Sequence, residues 1–344
     1  MIQSSSLLSA AALGIVALSL SGCATRIPAR EVDSLSHVRL GGLEQAVLAR
    51  GESTGLPVLL WLHGGPGAAQ MPLAHRYTTE LEESFIVVHW DQRGAGKSNP
   101  RGFEDATMTV EQYVQDAREL TRVLQTAYRQ ERIYLLGHSW GTKIGLLLAR
   151  DYPQDYHAFI SVGQVVDSHR AQEVAYAWLS SRIEAEGHAR AHRKLARLGP
   201  APYRDHGSFV EFMGMVDRYG GGMDVGFSRL FRDALTSPYY RGGDYLRWLN
   251  GARRGSGPMW DTYAEFSAIR DVPRVEVPIH FISGENDMNT PVNLVREYFE
   301  ALDAPRGKRI HVMSDCAHAP FLGNPSEFNH VVREIALAHY GSNE

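Results

Sequence analysis

The sequence predicts an α/β fold: a mostly parallel central sheet flanked by helices, with an inserted helical cap. Three observations point there. Apolar runs of strand length recur at residues 58–62, 85–88, 133–136, 157–162, 279–283 and 309–313. Amphipathic helical stretches alternate with them, the pattern of a parallel sheet covered on both faces. Between Val162 and about Tyr263 the alternation stops and a mainly helical segment replaces it. The 344 residues are 44% hydrophobic and 22% charged, an ordinary globular composition long enough for one large domain with an insertion or for two domains. A formal charge of −4 leaves no electrostatic footprint for nucleic acid.

Residues 7–20 are apolar and rich in small side chains, too few to span a bilayer but suited to a signal-peptide core. Leu20, Ser21, Gly22 and Cys23 follow at once and resemble the bacterial lipoprotein box, in which the cysteine is acylated and becomes the first mature residue. The resemblance implies a signal peptide over 1–22, lipidation of Cys23 and attachment to a membrane of the bacterial cell envelope. Residues 1–6 lack the Lys or Arg with which signal peptides usually begin. Ala24, standing where an inner-membrane retention signal would place Asp, favours the outer membrane, facing the periplasm. With Cys23 lipidated, Cys316 has no partner among the 2 cysteines, so no disulfide framework is expected, and Cys316 reads as a small core residue.

Residues 23–36 read as a linker, 37–162 and 263–344 as the core, and 163–262 as the cap. A first hairpin is expected over 38–50, turning at Gly41 and Gly42. The run 58–62 is continuously apolar, as a strand buried on both faces should be. Thr109 can cap a helix with Gln112 as its capping-box partner; Val110, Tyr113, Val114, Ala117, Leu120, Leu124 and Ala127 form its apolar stripe. Thr290 before Pro291, and Asn324 before Pro325, open further helices, each with a capping side chain ahead of a first-turn proline. In the cap, 171–198 reads as one or two helices whose Arg190, His192, Arg193, Lys194 and Arg197 make a solvated face, and 200–202 and 220–222 are breaks.

Gly137-His138-Ser139-Trp140-Gly141 stands where the apolar run 133–136 meets a helical one, a G-x-S-x-G at a strand-to-helix junction. This is the nucleophile elbow of an α/β-hydrolase. So tight a turn requires nearly bare backbone two residues either side of the serine, hence Gly137 and Gly141. The hydroxyl then stands at a helix N-terminus, where the dipole favours negative charge. A serine nucleophile needs a base, an acid that orients the base and donors for the oxyanion, and in this fold the chain order is Ser, acid, His. His318 lies in a loop after the strand at 309–313, whereas His311 sits inside that strand and His330 and His339 inside the last helix. The acid should follow the strand at 279–283, where Glu285 and Asp287 both qualify; Asp315 reads as a loop cap. The oxyanion donors should be the Trp140 N–H and one from His63-Gly64-Gly65-Pro66-Gly67, with Gly65 preferred and Gly64 the alternative.

No metal or cofactor is expected. Gly94 to Ser98 imitates the tail of a phosphate-binding loop, but the first glycine of that motif falls on Asp91, which excludes it. His188 and His192 share a helix face without the H-E-x-x-H pattern of a zinc site.

Four motifs in order, His63-Gly-Gly-Pro-Gly67, Trp90-Asp-Gln-Arg-Gly-Ala-Gly-Lys-Ser98, Gly137-His-Ser-Trp-Gly141 and Gly284-Glu-Asn-Asp287, resemble the proline iminopeptidase family of α/β-hydrolases, serine aminopeptidases with a helical cap. The resemblance implies a Ser139, Asp287, His318 triad and an ion pair holding the turn that carries Asp91 and Arg93. It also implies acidic cap residues for the substrate's α-ammonium, yet that family's Trp-Glu cap motif is absent, and Ala317 precedes His318 where Gly is usual. The acids available in the cap are Glu173, Glu184, Glu186, Glu211, Asp217 and Asp261. The expected activity is therefore a serine hydrolase, an aminopeptidase by resemblance, acting on small peptides or amides. An esterase or lactonase on small acyl substrates would use the same triad, and a non-catalytic envelope binding lipoprotein is the reading from another class.

Overall fold

The computed structural model describes residues 28–339. The signal-peptide segment and Cys23 lie outside the described residues. Eight strands form one sheet: β1 (Val32–Leu40), β2 (Leu43–Gly51), β3 (Val58–Leu62), β4 (Ile86–Trp90), β5 (Ile133–His138), β6 (Tyr156–Val162), β7 (Ile279–Gly284) and β8 (Lys308–Met313). Their order is β1-β2-β4-β3-β5-β6-β7-β8. The pairings β1/β2 and β2/β4 are antiparallel and the rest parallel. The central strands lie where the apolar runs predicted them, with ends displaced by a residue or two.

The linker expectation for 23–36 is corrected at its end: β1 begins at Val32, and its pairing with β2 runs from Val32 opposite Gly51 to Leu40 opposite Leu43. Its alternation is masked because β1 is an edge strand whose middle is exposed. Ion pairs hold the segment down. Arg30 Nε and Arg50 Nε each meet a Glu82 carboxylate oxygen at 2.9 Å, and Asp33 pairs with Arg50.

Side-chain alternation divides the interior into two layers. Val58, Leu60 and Leu62 of β3 and Ile133 and Leu135 of β5 enter one apolar cluster, with Tyr113, Ala117, Leu120 and Leu124 from helix α1 (Val110–Tyr128). Leu59, Trp61, Tyr134 and Leu136 face the other way, into a second cluster that receives Phe328, Val332 and Ile335 from the C-terminal helix (Pro325–His339). A strand flanked by such layers is apolar at every position because both of its faces are removed from water. Each fully buried Leu, Ile or Val contributes about 1.5–3 kcal/mol.

The Thr109 side chain caps α1 by accepting from the Gln112 N–H, although the Gln112 side chain turns to Asp116 rather than back to the cap. Helix α2 (Trp140–Asp151) follows β5 directly. Between β6 and β7 come α3 (Ser168–Ala185), α4 (Ala189–Leu198), α5 (His206–Arg218), α6 (Phe227–Leu235) and α7 (Gly243–Arg254). Of these, α3, α4 and α5 enclose a third cluster, including Leu179, Ile183, Leu195, Phe212 and Val216, whereas Ala234 of α6 and Trp248 of α7 join the second sheet layer. The stretch 171–198 is thus two helices, divided at Gly187 with φ 65°. Helix α8 (Val292–Ala301) has Pro291 at its cap, and Thr290 does not serve as the capping side chain; its hydroxyl is used elsewhere. Asn324 does accept the Glu327 N–H, as expected.

Candidate active site

Parallel strands deliver their loops to one edge of the sheet, and the predicted residues lie in the loops following β3, β5, β7 and β8. This is where an open α/β sheet characteristically receives its ligand. Ser139 sits between β5 and α2 at φ 54°, ψ −119°, a conformation that non-glycine residues rarely adopt and one characteristic of strained, overdetermined positions. The surroundings leave it no alternative. A Cβ on Gly137 would lie 2.5 Å from the Gly141 carbonyl oxygen, and one on Gly141 would lie 2.1 Å from that of Leu62. The serine N–H is bonded to the Val162 carbonyl at 2.9 Å, and its carbonyl accepts from both the N–H and the hydroxyl of Thr142.

His318 Nδ1–H donates to Asp287 Oδ2 at 2.9 Å, which leaves Nε2 as the basic nitrogen. Asp287 is fully buried, and its other oxygen accepts the N–H groups of Asn289 and Thr290 at 2.8 and 2.9 Å. The Thr290 hydroxyl donates to Oδ2 at 2.6 Å, so the carboxylate keeps its orientation by four contacts. Ser139 and His318 line the same cavity, together with Gly64 and Gly65. Among the described residues the serine hydroxyl makes no hydrogen bond; such bonds commonly close only when substrate is present. Glu285 is exposed, as is Asp315, whose φ is 56°.

The glycine loop is pinned from behind. His63 Nδ1–H donates to the Gly64 carbonyl and its Nε2 accepts the Gln92 N–H, while Gln92 bonds the His63 carbonyl and accepts from the Trp140 indole. Burial holds His63 at about 4, so at neutral pH it keeps the uncharged tautomer this network needs. A Cβ on Gly64 would come within 3.2 Å of Ser139 Cβ, which places that backbone beside the nucleophile. Trp140, the first residue of α2, has an N–H with no acceptor inside the helix. Asp91 and Arg93 do not form the ion pair expected of them. Arg93 makes a buried fork to Asp116 at 2.9 and 3.0 Å, and Asp91 accepts the Lys97 N–H and the Tyr240 hydroxyl.

Several contributors were not legible in the sequence. His138, inside the G-x-S-x-G, belongs to a relay in which Trp61 donates to Gln70 at 2.7 Å, Gln70 to His138 Nδ1 at 2.8 Å, and His138 Nε2–H to the His318 carbonyl at 2.9 Å. Burial holds its imidazole at about 3, neutral throughout. The cavity, about 270 Å³, is walled largely by Val165, Val166, Phe209, Met213, Met223 and Tyr263. None of Glu173, Glu184, Glu186, Glu211, Asp217 and Asp261 lines it, but Asp167 does. Asp167 Oδ1 accepts the N–H groups of His169 and Arg170, and Oδ2 has no hydrogen-bond partner among the described residues. A carboxylate just ahead of a helix signals no more in a sequence than a cap.

A family model described as the alpha/beta hydrolase fold matches residues 57–325. The probable aminopeptidase YbaC of Bacillus subtilis (strain 168) is 28% identical over 314 residues, which cover 90% of this chain and 98% of the relative. The putative carbamate hydrolase RutD of Escherichia coli O139:H28 is 28% identical over 268 residues, 77% of this chain and 85% of the relative. Among solved structures, the proline iminopeptidase of Mycobacterium smegmatis aligns with a TM-score of 0.66 at 23% identity, covering 89% of this chain and 98% of that one. The likeness to the solved structure concerns the fold.

Proposed function

The chain belongs to the alpha/beta hydrolase fold family, and on that premise we propose that it is a serine hydrolase that removes residues from the amino end of small peptides or amides through an acyl-enzyme. The observation carrying this reading is the 2.9 Å contact between His318 Nδ1 and Asp287 Oδ2, opening on the same cavity as a serine held at φ 54°. Ser139 Oγ attacks the substrate carbonyl carbon while its proton passes to His318 Nε2. Asp287 holds the tautomer and stabilises the imidazolium. The Trp140 N–H and that of Gly65 or Gly64 receive the oxyanion; losing one such donor typically costs about 2.7–4 kcal/mol in the barrier. His318 then protonates the departing amine, and water, deprotonated by the same imidazole, releases the acyl group and restores the serine.

Two further points support an aminopeptidase. The Bacillus subtilis relative, matched over 98% of its length, carries that name. The largely apolar cavity also has one carboxylate on its wall, Asp167, with an uncommitted oxygen suited to an ammonium. Reaction with a fluorophosphonate probe tests the mechanism, since a Ser139→Ala variant that labels like the wild type would refute it. Aminoacyl-naphthylamides set against p-nitrophenyl esters test the substrate class. A requirement for the free α-amino group supports the peptidase, and indifference to it points to an esterase or lactonase, which the apolar wall would also accommodate.

Cys23 acylation after removal of 1–22 would tether the enzyme to the envelope, on the periplasmic face of the outer membrane. The lipobox sequence supports this reading, and no described helix is long and apolar enough to cross a membrane. Radiolabelled palmitate incorporated by the wild type and not by Cys23→Ala is the expected result.

A further inference from the structure

The cap reaches past the cavity wall to the loops that carry the histidine and its acid. The Gly221 carbonyl accepts the N–H of Met288, next to Asp287, at 2.8 Å, and the Gly222 carbonyl accepts the N–H of His318 at 2.9 Å. Asp224 accepts the flanking amides, Ala317 N–H on Oδ1 and Ala319 N–H on Oδ2, each at 2.6 Å. Residues 220–224, between α5 and α6, therefore take three consecutive amides of the His318 loop and one of the Asp287 loop. The His318 loop has few local means of holding itself. It leaves β8 at Met313, turns through Asp315 at φ 56°, and regains regular structure only at Pro320.

The seating of Asp224 is itself informative. Among the described residues it has no ion-pair partner, and burial pushes its carboxyl up against the pull of the two amides. Even half-burying a carboxylate without a cation is costly, so it contributes here through the position it enforces. The close fit explains the glycines as more than a chain break. A Cβ on Gly221 would lie 2.8 Å from the Met288 side chain, one on Gly222 2.6 Å from Asp217 Oδ1, and one on Gly323 2.5 Å from Asp224 Oδ1. Asp217, exposed at the end of α5, braces the loop by accepting the Met223 N–H at 2.7 Å.

We propose that Asp224 is a positioning residue: the cap loop 220–224 clamps the His318 and Asp287 loops in register, so the geometry of the base depends on the seating of the cap. The proposal rests on the serine-hydrolase reading above. Asp224→Asn keeps the shape but turns an NH2 group toward one of the two amide donors, releasing one side of the clamp.

In the full chain, this variant is expected to lower kcat on an aminoacyl-naphthylamide and the fluorophosphonate labelling rate about 10–100-fold, because ångström-scale misplacement carries penalties of that order. KM stays within about twofold, since the cavity wall is untouched. Hydrogen exchange should accelerate in peptides covering 314–323 and not across the sheet. Asp217→Ala, a surface change that removes the acceptor of the Met223 N–H, should move the same readouts in the same direction by about threefold, and it serves as the test if Asp224→Asn does not fold. A wild type that labels alongside an Asp224→Asn protein with equal labelling rate and unchanged exchange overturns the clamp alone. A change in KM with kcat preserved overturns it too. A wild type that takes no label at Ser139 overturns the hydrolase reading and the clamp's catalytic purpose with it.

Discussion

Replacing Asp287 by Asn probes the proposed triad at the point where the geometry dictates the outcome. One carboxylate oxygen faces two backbone N–H donors, from Asn289 and Thr290, at 2.8 and 2.9 Å. An asparagine must put its carbonyl there, because its NH2 would oppose both donors. The NH2 is thereby forced into the other position, facing His318 Nδ1, now 2.9 Å from the carboxylate. Donor against donor is unfavourable, so the imidazole must present Nδ1 as an acceptor and carry its proton on Nε2. Nε2 can then no longer take the proton of Ser139. The same Asp-to-Asn change in the triad of a serine protease lowers kcat about 10⁴-fold, or about 5.5 kcal/mol of barrier at roughly 1.4 kcal/mol per decade. The Thr290 hydroxyl, at 2.6 Å, can rotate to accept from the new NH2, so the fold should survive. The assay is kcat/KM on an aminoacyl-naphthylamide beside the fluorophosphonate labelling rate, with thermal unfolding as a control. An Asp287→Asn enzyme that unfolds like the wild type yet keeps activity within tenfold of it would refute the tautomer argument.

Asp167→Asn should raise KM for substrates bearing a free α-amino group by about tenfold while leaving fluorophosphonate labelling unchanged, as expected when a charge-assisted bond worth about 1.5–3 kcal/mol is weakened; equal KM values measured on aminoacyl substrates would count against the ammonium subsite. Gly141→Ala should destabilise the fold by about 3 kcal/mol, because its Cβ would sit 2.1 Å from the Leu62 carbonyl oxygen; urea unfolding would show the midpoint falling. Acid should destabilise the protein through buried neutral histidines. His63 is held at about 4, and His89 and His138 at about 3, all by burial. The unfolded chain binds these protons at about 6.5, so the stabilisation is complete above that pH and is lost as pH falls toward 4 and below, each group accounting for about 2 kcal/mol at pH 5. Asp91, pushed up to about 7 by burial, works in the opposite sense, its contribution being lost as pH rises, but it is one group against three. A melting temperature that stays level or rises between pH 7 and 5 would contradict this balance.

Local rules made much of the site legible. The G-x-S-x-G announced Ser139 because the contacts that forbid a Cβ at Gly137 and Gly141 arise from a turn only a few residues long. The apolar runs announced the strands because a sheet covered on both faces leaves no solvent-facing position, as β3 illustrates with alternate residues entering separate clusters. Chain order and family motifs then singled out His318 and Asp287, and the structure joins them. The same rules failed where a residue's role came from a distant partner. The start of edge strand β1, residues 32–36, reads as linker because its exposed positions lack a hydrophobic pattern, while its hold on the sheet comes from the ladder to β2 and from the ion pairs among Arg30, Asp33, Arg50 and Glu82. Arg93 was matched to the nearby Asp91, whereas its carboxylate comes from Asp116 on α1.

Sequence alone thus determined the sheet's central strands, the elbow and the identity of the groups at its mouth, since periodicity, turn sterics and chain order act over short spans or follow the topology of the fold. Tertiary structure decided which carboxylates matter around those groups. Asp167 became a cavity wall, and Asp224 a clamp on amides 93 and 95 residues away. The physical reason is that a carboxylate's effect depends on the donors and the dielectric it meets, and those are set only when the cap docks on the sheet.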